Sequence, residues 1–413
     1  MRLPDQSSFP PPPSPGSKLG VVLSGGGSRG AYEVGVLTYA FGDIVKRVGH
    51  PPPVRVIAGT SVGAVNGAFL ASAADDVARG VAKLETLWSE LQLADVITFG
   101  VRQAVALHRV LLGGRRATGI FDATPLVQLV GEGIDWRRLA RNIRRGHLDA
   151  LSVSATKVAT GQPTVFIDQR RDLPLPAPFS PQVQIRGQRI GPAHVLASAA
   201  IPLIFAPIPI NQHLHCDGGL RLNTPLAPAI HLGADRLFVV GCSDPHGDGL
   251  AGLTPGLFPG APFLLGKVLN AFLIDHLNAD LLELHKVNGL LQDGIAAFGD
   301  EFIDKMNAVA AERGEPARRI LQAFSIHPSV DLGHIASDHL NRNRLRFGAT
   351  LGRQFLKLLD VGEGGDADLA SYLLFDGSYA RELIALGRAD AKKRKDELEA
   401  FLYGDADPLP DAE

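Results

Sequence analysis

The sequence predicts a three-layer α/β/α fold on a mostly parallel central sheet, with a helical C-terminal region, and three observations predict it. Two short β-branched apolar runs, KLGVVLS (Lys18 to Ser24) and VRVIAG (Val54 to Gly59), each give way to a stretch with helical apolar spacing. That strand, helix, strand, helix order calls for right-handed crossovers, which leave both faces of a parallel sheet covered. A third run, RLFVVGCS (Arg236 to Ser243), is again continuous and apolar, as a strand buried on both faces should be.

The first helix falls between about Arg29 and Val48, where Ala31, Val34, Val36, Leu37, Ala40, Phe41, Ile44 and Val45 form an apolar stripe. Pro51 to Pro53 end it. The second helix is VGAVNGAFLASAA (Val62 to Ala74), and Leu148 to Val158 with Thr164 to Asp168 read as a pair of strands. In HVLASAAIPLIFAPIPI, Pro202, Pro207 and Pro209 forbid a long helix, so a helix up to Ala200 passes into an extended, partly edge segment. A Gly- and Pro-rich loop spans about Gly247 to Pro262. The helical pattern returns from Phe263 to Leu291, and the closing AKKRKDELEAFL reads as a solvated amphipathic helix.

With 413 residues, 45% hydrophobic and 20% charged, the composition is that of an ordinary globular protein. The expected division is a Pro/Ser-rich disordered tail (1–17), a main α/β domain (18–245) and a mainly helical region packing on it (246–413). A net charge of -2 offers none of the basic field that nucleic-acid binding needs. Two cysteines, Cys216 and Cys242, are too few for a disulfide framework and read as small reduced core residues, favouring a cytoplasmic setting. No run reaches the roughly 18 to 20 apolar residues of a membrane span, so contact with a bilayer is expected from its surface. No His, Asp and Glu spacing suits a metal, and no cofactor is expected.

Three strings carry chemistry. Gly25-Gly26-Gly27-Ser28-Arg29-Gly30 follows a strand and opens a helix, an arrangement whose backbone amides and helix dipole suit an anion. It also fits a dinucleotide fingerprint, but that reading needs an acid at the end of the second strand, where Gly59-Thr60-Ser61 stands instead. Gly59-Thr60-Ser61-Val62-Gly63 is a G-x-S-x-G string at a strand-to-helix junction, the context in which a strained turn exposes a nucleophilic serine. Cys216-Asp217-Gly218-Gly219 supplies a carboxylate beside two small residues. A serine hydroxyl needs a base, and a desolvated Asp pressed against it can be one.

In this order the strings resemble the patatin-like phospholipase family. Gly25 to Gly30 is similar to the family's glycine-rich oxyanion loop, Gly59 to Gly63 to its nucleophile motif, and Asp217 to Gly219 to its D-G-G/A motif. Ala197 to Pro202, Asn223-Thr224-Pro225 and Gly233-Ala234-Asp235 resemble the flanks of the last, and Ser24 stands where many eukaryotic members have Asp. The resemblance covers about Lys18 to Gly241, with weaker likeness at Asp280 to Leu291 and Tyr372 to Ala391. It implies a Ser61–Asp217 dyad, an acyl-enzyme, an oxyanion hole made by the amides of Gly26 and Gly27 with a neighbour such as Ser28, and a lipid or membrane-surface substrate, with the enzyme cytoplasmic or peripheral at the membrane. Arg29 braces the loop or meets a phosphate. Gly59, Gly63, Gly218 and Gly219 support the motifs.

Three alternatives remain at this level. An α/β-hydrolase esterase would add a histidine from His194, His213, His215, His231, His246 or His276, with His215 first because in an alternating strand it shares a face with Asp217. The others are a dinucleotide-binding protein and an inactive lipid-binding scaffold. Lipid access is expected from the apolar loop around Leu250 to Leu265.

Overall fold

β1 (Leu19–Leu23) and β2 (Val54–Thr60) run parallel, with Val21 opposite Ile57 and Leu23 opposite Gly59. The computed structural model describes residues 17–96, 121–243, 277–313, 315, 317–343 and 368–404. The expected tail before Ser17, the loop from Leu250 to Leu265, His246 and His276 lie outside the described residues.

Seven further strands complete the sheet: β3 (Ala150–Lys157), β4 (Gln162–Gln169), β5 (Gln184–Gly187), β6 (Ile208–Ile210), β7 (His213–Asp217), β8 (Arg236–Val240) and β9 (Gln322–Ile326). Their order is β5-β4-β3-β2-β1-β8-β9, with β7 beside β3 and β6 beside β7. Pairing is parallel from β3 through β9 and between β4 and β5; β3 pairs antiparallel with β4 and with β7, as does β6 with β7. The fold is thus α/β with a mostly parallel central sheet.

Alternation along the strands feeds two cores. Leu19, Val21 and Leu23 face one cluster and Val22 the other, because successive side chains leave a strand on opposite faces. Each such fully buried side chain contributes about 1.5–3 kcal/mol. The first cluster is covered by α1 (Gly30–Thr38), α2 (Ile44–Val48), α3 (Val62–Ser72) and α4 (Val77–Glu90). It is extended by α5 (Thr124–Gly133), α6 (Trp136–Arg145) and α7 (Pro192–Ser198). The second is covered by α8 (Leu226–His231) and α9 (Leu277–Phe298). α3 is buried along nearly its whole length, consistent with its small, apolar sequence on every side.

Several elements depart from the sequence reading. The helix expected from Arg29 to Val48 is interrupted by a π-helical turn at Tyr39–Asp43, where Thr38 Oγ1 donates back to Val34 O and competes with the regular ladder. After α10 (Phe302–Glu312) the mainly helical C-terminal region contributes β9, which pairs in parallel with β8 and buries Phe324 and Ile326. There follow α11 (Leu332–Arg342), α12 (Asp368–Leu373), α13 (Gly377–Lys393) and α14 (Lys395–Tyr403). The segment read as one solvated helix is therefore the end of α13 and nearly all of α14, whose Leu398, Phe401 and Leu402 are buried. Phe401 stacks on Phe324 at 5.5 Å. No helix among the described residues is long and apolar enough to cross a membrane.

Candidate active site

Sheet topology brings the two motif residues together. β2 follows β3 as far as the pair Thr60 and Ser154, and there the chain leaves the sheet at Ser61 to enter α3. The vacated place beside β3 is taken by β7, in the opposite direction, with Asp217 opposite Ala155. Two positions 156 residues apart in sequence are thereby set end to end, and Ser61 Oγ donates to Asp217 Oδ2 at 2.7 Å. Asp217 N–H is fixed by Ala200 O at 2.9 Å, and Thr60 Oγ1 donates to Leu222 O at 2.7 Å, tying the end of β2 to the chain beyond β7.

Ser61 sits on the turn with φ 53° and ψ -122°, a conformation costly for a residue with a Cβ. Gly63 makes the turn possible: a Cβ there would stand 2.4 Å from Leu23 O and 2.5 Å from Ser24 O. Gly59 lies directly before the turn, against the Gly63 carbonyl. α3 starts at Val62, so its N-terminal dipole end faces the serine and favours negative charge there. Gly218 and Gly219 continue from Asp217 into a single 3-10 turn, and Gly219 N–H donates to Asp217 Oδ1 at 2.7 Å.

In the glycine-rich loop the six residues divide by what their amides do. Gly25 N–H donates to Asn223 O at 3.1 Å, Arg29 N–H to Gly26 O at 3.1 Å, and Gly30 N–H to Gly27 O. Those three amides donate within the chain. Among the described residues the amides of Gly26, Gly27 and Ser28 have no such acceptor. Arg29 points away from the serine: its guanidinium donates to Ser371 Oγ at 2.8 and 2.7 Å and lies 3.9 Å from the Tyr372 ring centroid. Ser28 Oγ donates to Ser371 O at 2.7 Å. The loop is thus braced from behind by α12, and Arg29 is the brace.

Burial pushes the Asp217 carboxyl up to about 7, against the opposing pull of the Ser61 hydroxyl and the Gly219 amide. At that value an ionised carboxylate is available near neutrality and is a far better proton acceptor than an ordinary aspartate. Were Asp217 the base, as the sequence resemblance implies, it would have to be ionised, and kcat/KM for ester cleavage would then rise with pH about a midpoint near 7; a flat profile between about pH 5 and about pH 9 would contradict that role. The same shift acts on stability with the opposite sense. The folded protein holds this proton more tightly than the unfolded chain, so its contribution is complete below the ordinary aspartate range and is lost as pH rises through 7.

The carboxylate's partners are Ser61 and Gly219, and neither residue of the pair is hydrogen-bonded to a histidine among the described residues. His215, expected to share the face of Asp217, places Nδ1 3.1 Å from His213 O and its ring 5.4 Å from Phe166. His194 contacts Gln188 and Gly191. Cys216 and Cys242 are both buried and unbridged.

Ser61 opens into an apolar cavity whose ≈ 800 Å³ of free space includes the solvent at its mouth; a predominantly apolar lining with few polar groups is the usual make-up of a small-molecule site. α3, α4 and α5 supply most of the wall, with Phe205 and Phe375 beside them. α4 and α5 fall between Ala74 and Leu148, where no element was read from the sequence, so their part of the wall was missed. So were three buried polar residues: Ser198, Glu33 and Asn66. Asn66 Nδ2 donates to Glu33 Oε2 at 2.8 Å and to Gly30 O at 3.2 Å, and Asn66 Oδ1 accepts from Trp88 Nε1 at 3.1 Å. One amide thereby joins the end of the glycine loop to the cavity wall. Burial pushes the Glu33 carboxyl up to about 8. A lone polar residue inside an apolar helix, as at Glu33 and Asn66, was the available signal.

Ser198 Oγ accepts the Ser61 amide proton at 2.8 Å and donates to Ser154 O at 2.6 Å. Ser198→Ala removes the hydrogen-bond partner of the Ser61 amide and one partner of Ser154 O, and a buried group left unsatisfied costs about 1–3 kcal/mol. The expected outcome is a lower Tm and a lower kcat with little change in KM, because the turn that presents Ser61 loses its tether. An unchanged Tm would show that the tether carries no strain.

The fold and the contact define a class, an α/β/α protein with a serine on a strand-to-helix turn against a buried carboxyl group. The sequence model described as "Patatin-like phospholipase" matches residues 21–230, about half of the chain. The chain belongs to the patatin-like phospholipase family, a family of lipid acyl hydrolases. No curated protein sequence matches it. Among solved structures, VipD from Legionella pneumophila is 13% identical, with a TM-score of 0.30, over 90% of this chain and 67% of that one. The human GIVD cytosolic phospholipase A2 in complex with methyl γ-linolenyl fluorophosphonate is 12% identical, with a TM-score of 0.40, over 94% of this chain. The match spans 58% of the human protein's length. A chain of the SpcU–ExoU complex from Pseudomonas aeruginosa is 14% identical, with a TM-score of 0.25, over 92% of this chain and 78% of that one.

Proposed function

We propose that the protein hydrolyses acyl esters of phospholipids or lysophospholipids through a Ser61–Asp217 dyad and an acyl-enzyme. The observation that carries this reading is the 2.7 Å hydrogen bond from Ser61 Oγ to Asp217 Oδ2 at the head of an apolar cavity.

Asp217 takes the hydroxyl proton as Ser61 Oγ attacks the ester carbonyl carbon. The oxyanion that forms is held by the amides of Gly26, Gly27 and Ser28, each such donor being worth roughly 3–4 kcal/mol in comparable sites. Collapse breaks the carbon–oxygen bond to the alcohol, which leaves with the proton from Asp217. Water then adds to the acyl-enzyme, again giving its proton to Asp217, and the fatty acid departs as that proton returns to Ser61 Oγ. The apolar cavity holds the acyl chain.

A histidine triad is disfavoured because both carboxylate oxygens are engaged by Ser61 and Gly219. Dinucleotide binding is disfavoured by the serine that stands where a ribose-binding acid would. The test is incubation of the pure protein with a panel of defined phospholipids, lysophospholipids and triacylglycerols, with products weighed by mass spectrometry. The reading expects free fatty acid and the matching deacylated alcohol; release of no acid from any of them, or tight NAD binding by calorimetry, would overturn it.

A further inference from the structure

Among the described residues the helices give the cavity a direction leading away from Ser61. α3 begins at the nucleophile and α4 returns antiparallel to it after a short turn, since Gly80 packs on Ala73 at one end and Trp88 reaches Asn66 further along. Leu91 and Val62 therefore lie at the level of Ser61, and Leu84 and Phe69 lie at the other end. α6 marks that end too: Asn142 Nδ2 donates to Ala71 O and Ser72 O, both at 3.1 Å, and Arg138 Nε donates to Asp75 at 2.8 Å. Gly133 and Ile134, just before α6, belong with it. Phe69 is 5% exposed, and the ammonium of Lys83, an exposed residue, stands 5.7 Å from its ring centroid. The phenyl ring thus separates the apolar cavity from a charge at the surface.

We propose that Phe69 is the floor of the acyl site and makes the enzyme selective for medium-length acyl chains. This rests on the hydrolase reading above. Phe69 follows Ser61 by eight residues on α3, which sets the depth at roughly 12 Å. With C–C bonds of about 1.5 Å laid in zigzag, roughly eight to ten carbons span that distance. A longer chain meets the ring before its carbonyl reaches Ser61 Oγ; a shorter one leaves apolar wall unfilled.

Gly133 lines the same cavity, and a Cβ there would meet nothing within 4 Å. The site can therefore be shortened at Gly133 as well as lengthened at Phe69. The experiment measures kcat/KM on p-nitrophenyl esters from butyrate to palmitate in mixed micelles. In parallel, free fatty acids of the same lengths displace a fluorescent fatty acid from the Ser61→Ala protein, which reads the cavity without the chemistry. Wild type is expected to peak at about eight to ten carbons. Phe69→Ala moves the peak to longer chains, raising the tetradecanoate-to-octanoate ratio by about tenfold or more, as the value of a few methylenes in an apolar pocket requires. Phe69→Leu gives a smaller shift the same way, and Gly133→Leu moves the peak to shorter chains.

A wild-type preference for palmitate, or identical length profiles in variants whose circular dichroism matches wild type, overturns the proposal. Length-ranked fatty-acid binding with no ester cleaved overturns the hydrolase reading and leaves the floor standing. Cleavage without length ranking does the reverse.

Discussion

Asp217→Asn is expected to lower kcat/KM for ester hydrolysis by roughly 10⁴-fold, the scale seen when an isosteric amide replaces a carboxylate in a proton-relaying hydrolase site. The replacement is nearly invisible to the fold. The amide oxygen can still accept from Gly219 N–H, which now bonds Oδ1 at 2.7 Å, and the Asp217 main-chain bond to Ala200 O is untouched. What changes is the atom facing Ser61, an NH₂ donor where a proton acceptor stood. The hydroxyl then has no base, while the amide ring around the oxyanion remains. Since burial already pushes the carboxyl up to about 7, exchanging it for a neutral amide removes little that holds the native state at neutral pH. Steady-state kinetics with a thermal melt checks both halves. Retention of a tenth or more of wild-type turnover, with Tm unaltered, would sink the assignment of the base.

The second large effect is at Gly27, which has φ +57° and whose added Cβ would lie 2.3 Å from Tyr372 O. Both facts oppose a side chain. The left-handed conformation costs an alanine about 1 kcal/mol, and the contact is with backbone, which cannot swing aside. Either the loop or α12 must move, and the loop carries the amides of Gly26, Gly27 and Ser28. Loss of one oxyanion donor lowers kcat by about 10²–10³-fold, so Gly27→Ala is expected to fall at least that far, mostly in kcat. Gly131→Ala is the comparison: it lies on α5, where an added methyl meets nothing within 4 Å, and both kcat and Tm should stay near wild type. Equal kinetics for the two variants would mean that the loop does not stabilise the reacting oxygen.

Local chemistry was readable and long-range pairing was not. The G-x-S-x-G string carried its own context, an apolar strand before it and a small-residue helix after it, so the strained turn at Ser61 was visible from five residues and their neighbours. Asp217 was nominated only by its company, because Asp-Gly-Gly alone is usually a turn. Its position depends on β7 filling the place that β2 leaves beside β3, and although each segment reads as a strand by itself, nothing local announces that the two pair. β9 was hidden for the same reason: QAFSI is five residues long, and nothing local says that it pairs with β8. The cavity wall is harder still. α4 has an ordinary amphipathic sequence, and only the α3–α4 turn decides that Leu84 and Trp88 line a cavity with Ser61 at its head. The glycine loop was legible as a turn between strand and helix, but which of its amides donate within the chain depended on Asn223 and on the turn itself.

The proposed chemistry requires Ser61 Oγ to be the atom that bonds to the acyl group. Treatment with an alkyl fluorophosphonate, followed by intact-mass and peptide mass spectrometry, reads this directly. One adduct on Ser61 is predicted, absent in Ser61→Ala and formed far more slowly in Asp217→Asn. An adduct on another residue, or labelling that persists after Ser61→Ala, would contradict it.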